Sequence, residues 1–308
     1  MSVKVDLRFS DVDPPALEPK RSIYTDLMNL PDPVLLGLTV RIFNYDNVGL
    51  YMQVDGYGTG WTFTTNNIGL LGSGADMYSN LDNFGSRAKP GSEVSEQITV
   101  RLRAYTDAGY LNLKWTFERI IDMIFIKSDD GSWTGDFYDN FDDGTVMGWA
   151  VANEQNNTAG YPQIQVRTDY VLSAPYSIRM VQRWNAAHTI YQQGLYLRKG
   201  SDLLIKIGKG SIETGGACSV FGQVDLIPVN KWIRAVMPLP RNTLVEVQIA
   251  DELSSAYAGG CWTVRGRLYK SFTTPDRNRV YAIMDLRAGR SGSVGYCWMD
   301  DFKIISKD

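Results

Sequence analysis

The chain has 308 residues, with 31 Lys and Arg, 34 Asp and Glu, one histidine and a net charge of −3. That balance argues against a nucleic-acid partner, because a duplex binder needs a basic stripe to displace counterions. One histidine excludes a three-histidine zinc site and an HExxH metalloprotease, and no apolar run approaches the about 20 residues of a membrane-spanning helix.

The first 35 residues contain Pro14, Pro15, Pro19, Pro31 and Pro33, a density that interrupts helices and strand ladders alike. A short strand at Val3–Phe9 followed by an extended arm is expected, the arm lying on its own domain or reaching a neighbouring subunit. The opening Met1-Ser2-Val3-Lys4-Val5-Asp6 lacks the basic and apolar regions of a signal peptide.

From Leu36 the hydrophobic period is two: Leu38, Val40 and Ile42, then Leu50, Met52 and Val54. Asp55-Gly56 and Gly58-Thr59-Gly60 are expected to turn the chain into a strand at Trp61–Phe63. Residues 69–91 are rich in Gly, Ser, Asn and Asp and suggest a looser stretch. Further strands are expected at Gln97–Ala104, Tyr110–Phe117 and Ile120–Lys127. Six or seven such strands describe an immunoglobulin-like sandwich over residues 1–135, ending in a short acidic linker that runs to about Asn140.

Beyond it, ten short apolar-alternating segments between Ile164 and Ile305, separated by Gly, Pro and Asn turns, suggest a jelly-roll sandwich over residues 136–308. No stretch keeps a 3.6-residue period with caps. The expected fold class is therefore all-β, with two β-sandwich domains, immunoglobulin-like followed by jelly roll.

Four features of the second domain carry a family likeness. They are Asn140-Phe141-Asp142-Asp143-Gly144 with Gly148-Trp149, Ser173-Ala174-Pro175-Tyr176-Ser177-Ile178-Arg179, Lys231-Trp232-Ile233-Arg234, and Trp298-Met299-Asp300-Asp301-Phe302-Lys303-Ile304. In this order they resemble the jelly-roll carbohydrate-binding modules and related galactose-binding-like sandwiches. The resemblance implies one structural Ca²⁺ between the entry segment and the last strand, with Asp142 and Asp300 as its carboxylates. Calcium takes six to eight oxygen ligands. In an ideal strand Asp300 shares its face with Trp298, Phe302 and Ile304, and an inward carboxylate needs a cation or several hydrogen bonds. The alternative is that Asp300 caps backbone amides while Asp142 and Asp143 line a turn. Asp142 stands where the family usually has Glu, which shortens the reach.

The resemblance also implies sugar binding by aromatic faces near loops. Trp184, Tyr191, Tyr257 and Trp262 are the candidates, with Arg183, Asn185 and Arg265 as polar partners. Tyr and Trp are equally the residues of subunit contacts. Trp149, Trp232 and Trp298 lie on strand patterns and belong in the core.

Catalytic machinery is not expected. His188 stands alone without a G-x-S-x-G motif, the glycine-rich spots lack a P-loop lysine, and Glu246 and Asp251 fall on opposite faces of an ideal strand. Asn156-Asn157-Thr158 is a chance-level glycosylation triplet. Cys218, Cys261 and Cys297 are either buried thiols or one bridge with one left over. These features suit a non-enzymatic structural or binding protein on the exterior of a virus particle or cell-surface assembly. Its expected partners are other subunits of its own kind or a particle, with glycan contact. The alternative is a glycan-binding module pair from a polysaccharide-processing system.

Overall fold

A computed structural model describes residues 2–10, 21–146, 148–152, 164–173, 175–183, 190–199, 202–212, 224–225, 230, 232–254, 262–291 and 294–308. Among these the protein is all-β, its one helical element being a single 3-10 turn at Leu27–Asn29. The chain divides into two compact units, Met1–Ser128 and Asp129–Asp308.

Among the described residues unit 1 holds nine strands: β1 Ser2–Ser10, β2 Arg21–Asp26, β3 Val34–Phe43, β4 Leu50–Gly58, β5 Thr62–Phe63, β6 Asn66–Leu71, β7 Asp76–Arg87, β8 Val94–Tyr105 and β9 Leu113–Ile126. They form one sheet in the order β1-β3-β7-β5 and a second run in the order β2-β9-β8-β4-β6. Period-two alternation makes the core. Leu36, Leu38, Val40 and Ile42 of β3 meet Leu50, Met52 and Val54 of β4, and Ile98, Val100, Leu102 and Ala104 of β8, in one buried cluster. Each such aliphatic side chain contributes about 1.5–3 kcal/mol of burial free energy. β1 pairs with β3 and β2 with β9 in parallel, so the chain's first strands dock without hairpins. Residues 11–20, which hold most of the expected arm, lie outside the described residues.

Two local expectations change. Asp55-Gly56 is not a turn: β4 continues through it, and the turn falls at Thr59-Gly60. Gly56 is there because a Cβ would meet the Phe63 ring at 2.9 Å, as one on Gly85 would at 2.8 Å. The stretch 69–91 is not loose either, since β7 fills twelve of its residues. Its alternation changes phase where the β3–β7 register shifts, with Asn83 at positive φ, so Met77 and Leu81 pack inward first and Phe84 afterwards. Such a bulge hides a strand from a strict period-two pattern.

Unit 2 holds β10 Thr134–Asp139, β11 Ala150–Ala152, β12 Ile164–Arg167, β13 Ser177–Arg183, β14 Ile190–Lys199, β15 Asp202–Ile212, β16 Val224–Asp225, β17 Trp232–Leu239, β18 Leu244–Ser254, β19 Trp262–Thr273, β20 Arg279–Ser291 and β21 Val294–Lys307. One sheet runs β11-β19-β18-β14-β15-β16, and a second run is β12-β13-β21-β20-β17 with β10 also on β21. The segment expected as an acidic linker thus contains a strand. Phe141, Trp149, Met237, Val245, Val247, Met284, Leu286, Met299, Phe302 and Ile304 form this unit's own core.

The entry segment is fastened by a cation. Lys270 Nζ sits 4.0 Å from the Phe137 ring centroid, 5.5 Å from Phe272 and 5.8 Å from Trp149. Asp139, whose charge acts on Lys270, accepts the Phe141 N–H and the Trp149 indole N–H. The ammonium therefore rests on ring faces. Gly148, at φ +81°, leaves room for it, because a Cβ there would stand 2.9 Å from Nζ.

Candidate functional site

β21 is paired along one side by β20 over almost its whole length. Its other side is shared. Val294–Met299 pair with β13 and Phe302–Ser306 with β10, so the ladder splits at Asp300-Asp301. Asp301 takes a positive φ of 49° there, and β20 shifts register opposite it, between Ile283 and Asp285.

The split reverses the expected facing of Asp300. Met299, Phe302 and Ile304 all enter the core, which is impossible in an ideal alternation and requires the irregularity between them. Asp300 therefore lies on the face away from the core, in one transverse row with Asp285 of β20 and Arg234 of β17. It is nonetheless fully buried. Its Oδ2 accepts from the backbone N–H of Leu172 (2.8 Å) and Ser173 (3.1 Å), and its Oδ1 from the Ser173 hydroxyl (3.0 Å) and the Asp301 N–H (2.9 Å). Burial holds the carboxyl above its ordinary pKa, and the Leu172 and Ser173 donors oppose that shift. Of the two roles open from the sequence, this geometry has amide capping: Asp300 ties the 171–173 loop over the gap in the ladder.

Asp285 is equally buried and accepts two hydrogen bonds from Arg234, at 3.0 and 2.7 Å. Desolvation raises its pKa despite Arg234, with Asp301 and Asp300 adding to the rise. Above the same gap, the Tyr138 hydroxyl donates to Asp301 Oδ1 at 2.9 Å. Burial and the Asp301 hydrogen bond push that phenol upward, and the charges of Asp301, Asp142 and Asp300 push it further.

Asp142 differs from Asp300 in one respect. Its Oδ2 accepts from the Asn140 amide, but its Oδ1 is buried without a hydrogen-bond partner. An orphaned buried acceptor is what a cation satisfies. Asp143 lines a turn, accepting from the Thr145 N–H and hydroxyl, both at 2.8 Å. No group of three or more His, Cys, Asp or Glu suited to a metal occurs among the described residues. Asp142 has one oxygen open to a cation, whereas both oxygens of Asp300 already accept hydrogen bonds.

Of the aromatic candidates, Trp184 and Tyr257 lie outside the described residues, as do His188, Cys218 and Cys261. The backbone places Tyr191 on β14 and Trp262 and Arg265 on β19, the two strands flanking β18. Tyr191 is opposite Leu253 and Trp262 opposite Ser254, so both stand at the same end of that sheet. Arg265 falls opposite Asp251, further along. Trp149 and Trp298 are buried, and Trp298 donates its indole N–H to Asp169 at 3.3 Å.

Unit 1 carries a surface that the sequence reading did not single out. Leu70 of β6, Tyr51 of β4, Tyr105 of β8 and Leu113 of β9 are register partners in one row across four strands. Tyr110 packs edge-on against both Tyr51 and Tyr105, with centroids 6.1 and 5.5 Å apart, and Tyr105 is buried, so the leucines are the exposed members of the row. The loop beside them is built on Asp107, whose carboxylate accepts from the N–H groups of Gly109 (3.0 Å), Leu111 (3.2 Å) and Asn112 (2.6 Å). These bonds, the one from Asn112 foremost, hold Asp107 below the ordinary carboxylate pKa. The loop presents Leu111 with 82% of its surface exposed, beside Leu70 at 58% and Leu113 at 54%. The next rows are polar: Gln53 donates to Asn67 at 2.7 Å, and Asp55 accepts two bonds from Arg101, both 2.9 Å, and pairs with Arg103. The period-two series Tyr51, Gln53, Asp55, Tyr57 was the available signal for this face.

No protein-family model matches the chain, and no curated protein matches it. The fold alone defines its class, an all-β protein.

Proposed function

We propose that this chain is a non-enzymatic structural and binding protein, an exterior component of a virus particle or cell-surface assembly that also contacts glycan. The observation that carries the reading is the row Leu70–Tyr51–Tyr105–Leu113 with Leu111 beside it. Exposed leucines, Leu111 on a loop of fixed backbone and Leu70 and Leu113 on strands, are costly in water and useful at a contact. The immunoglobulin-like and jelly-roll identities of the two units belong to the same proposal.

Glycan contact is proposed for Tyr191 and Trp262, which share one sheet end, and for Trp184, Tyr257 and Arg265 as candidates from the sequence. The common sheet end of Tyr191 and Trp262 also supports the second reading, a glycan-binding module pair of a polysaccharide-processing system. On a glycan array, binding that disappears in Trp184→Ala or Trp262→Ala supports sugar recognition there. An array with no signal from the unaltered chain removes it. Co-sedimentation with particles separates the assembly reading from the module reading.

Calcium completes the proposal, with Asp142 supplying its orphaned oxygen and Asp300 as the second carboxylate. A native-state ligand raises the melting temperature by mass action. We therefore expect EDTA to lower the melting temperature and added Ca²⁺ to restore it. Superimposable melts remove calcium from the description.

A further inference from the structure

We infer that the first half of β9, Leu113–Ile120, is an open sheet edge that pairs antiparallel with the same edge of a second copy, about a two-fold axis at Thr116. The inference rests on the assembly reading above and gives it a partner and a register.

Pairing and exposure define the edge. β8 borders β9 on one side along nearly its full length, whereas β2 borders the other side only from Ile121 to Ile126. Where β2 lies alongside, Ile121, Met123 and Phe125 are buried. Ahead of it, Trp115, Phe117 and Arg119 face the same way but remain half-exposed, opposite the fully buried Ala104, Leu102 and Val100 of β8. Lys114, Thr116, Glu118 and Ile120, on the other face, are exposed. Among the described residues no strand pairs with Leu113–Ile120 on the side away from β8. The sequence ahead of β2 carries Pro14, Pro15 and Pro19, which lack the N–H that a ladder partner donates. From Trp115 to Ile120 the register with β8 is unbroken, so the backbone groups on the open side form a regular template for another strand.

Complementarity selects the occupant. Charged side chains ordinarily guard an edge against pairing, and this edge carries one of each sign. In a two-fold contact the same segment stands on both sides. With the axis at Thr116, Lys114 faces the partner's Glu118, Trp115 faces the partner's Phe117, and Thr116 faces the partner's Thr116. Opposite charges, aromatic pairs and threonine pairs are the cross-strand neighbours that stabilise a sheet. An axis at Phe117 would set Lys114 against Ile120 and Glu118 against Thr116, and one at Trp115 would set Lys114 against Thr116 and Glu118 against Asn112. Of these, the Thr116 axis alone matches the charges. Lys114 also holds Asp46, but an ammonium has three donors. Glu118 lies opposite Arg101 of β8, whose guanidinium is given to Asp55. The complement of this edge is thus written in the edge itself.

The test is sedimentation velocity on the full chain over a concentration series, for the unaltered protein, Glu118→Lys, and Lys114→Glu/Glu118→Lys. Both positions are exposed, so the variants fold, which circular dichroism checks. Concentration-dependent association is expected, weakened about tenfold by the single reversal, which sets lysine against lysine twice, and recovered in the double variant. Thr116→Cys, oxidised alongside the unaltered chain, is expected to give a disulfide-linked dimer that the chain's own cysteines do not. Antiparallel strands paired at that residue bring the two Cα atoms within bridging distance. A monomer throughout the series, association indifferent to Glu118→Lys, a double variant as weak as the single, or no added dimer from Thr116→Cys overturns the inference. Co-sedimentation with particles, run on the same samples, reports on the assembly reading separately, so a monomer that still binds particles removes this contact alone.

Discussion

Arg234 reaches Asp285 through two hydrogen bonds, yet burial still holds that carboxyl above its ordinary pKa. The pair is thus a cost partly recovered. An acid whose folded pKa is raised binds its proton more tightly when folded. Its contribution to stability is least favourable above the folded pKa and improves as pH falls toward the unfolded value. Removing the partner strands a buried charge, at about 3–5 kcal/mol. Arg234→Met should therefore destabilise the protein by about that amount at neutral pH in urea denaturation, with a deficit that shrinks on acidification as Asp285 takes up its proton. A deficit independent of pH would show that lost packing, not the stranded carboxylate, dominates. Asp107 has the opposite sign. Its pKa is depressed, so its hold on the Leu111 loop is complete above the unfolded carboxylate value and is lost as pH drops through the folded one. The Leu111 and Asn112 amides should lose hydrogen-exchange protection over that acidic window while β8 amides keep theirs.

At the level of elements, one aromatic ring explains two glycines. Phe63 belongs to the two-residue strand β5, and its ring lies against Gly56 of β4 and Gly85 of β7. It also packs on Trp61 and Phe84, with centroids 5.9 and 5.4 Å away. A methyl group on Gly85 would fall within 2.8 Å of the ring, and an overpacked core costs about 1–3 kcal/mol. Gly85→Ala should show that loss in urea denaturation, and Phe63→Leu in the same chain should recover part of it, since touching residues couple. Strict additivity of the two substitutions would mean the ring is not what excludes the methyl. The same ring accounts for the misjudged turn at Asp55-Gly56: glycine there serves a ring contact, and sequence spacing cannot distinguish that from a turn.

For the whole molecule, the class and several strands were legible because core residues recur at every second position in β3, β4 and β8. What escaped were the places where alternation breaks. β7 was hidden by its bulge, and the single long strand β9 was divided in two because Arg119 occupies an inward position between Phe117 and Ile121. Asp300 was legible as a buried carboxylate but not in its direction, because the irregularity at Asp300-Asp301 turns the strand's phase. Asp285, Arg234 and Tyr138 escaped altogether, since only the register of three distant segments brings them to Asp300. The tyrosine–leucine face needed cross-strand pairing for the same reason.

The split ladder of β21 also fixes an order of events. This strand closes β13, β10 and β20 at once and gives Met299, Phe302 and Ile304 to the core. A ribosome delivers it after every strand it joins. Until then β10, some 170 positions upstream, lacks the one strand partner it has among the described residues (Thr134 against Ser306). The nascent second unit must wait with its sheet open, exposed to aggregation or chaperone capture, and a stop codon upstream of Val294 would leave it without its keystone.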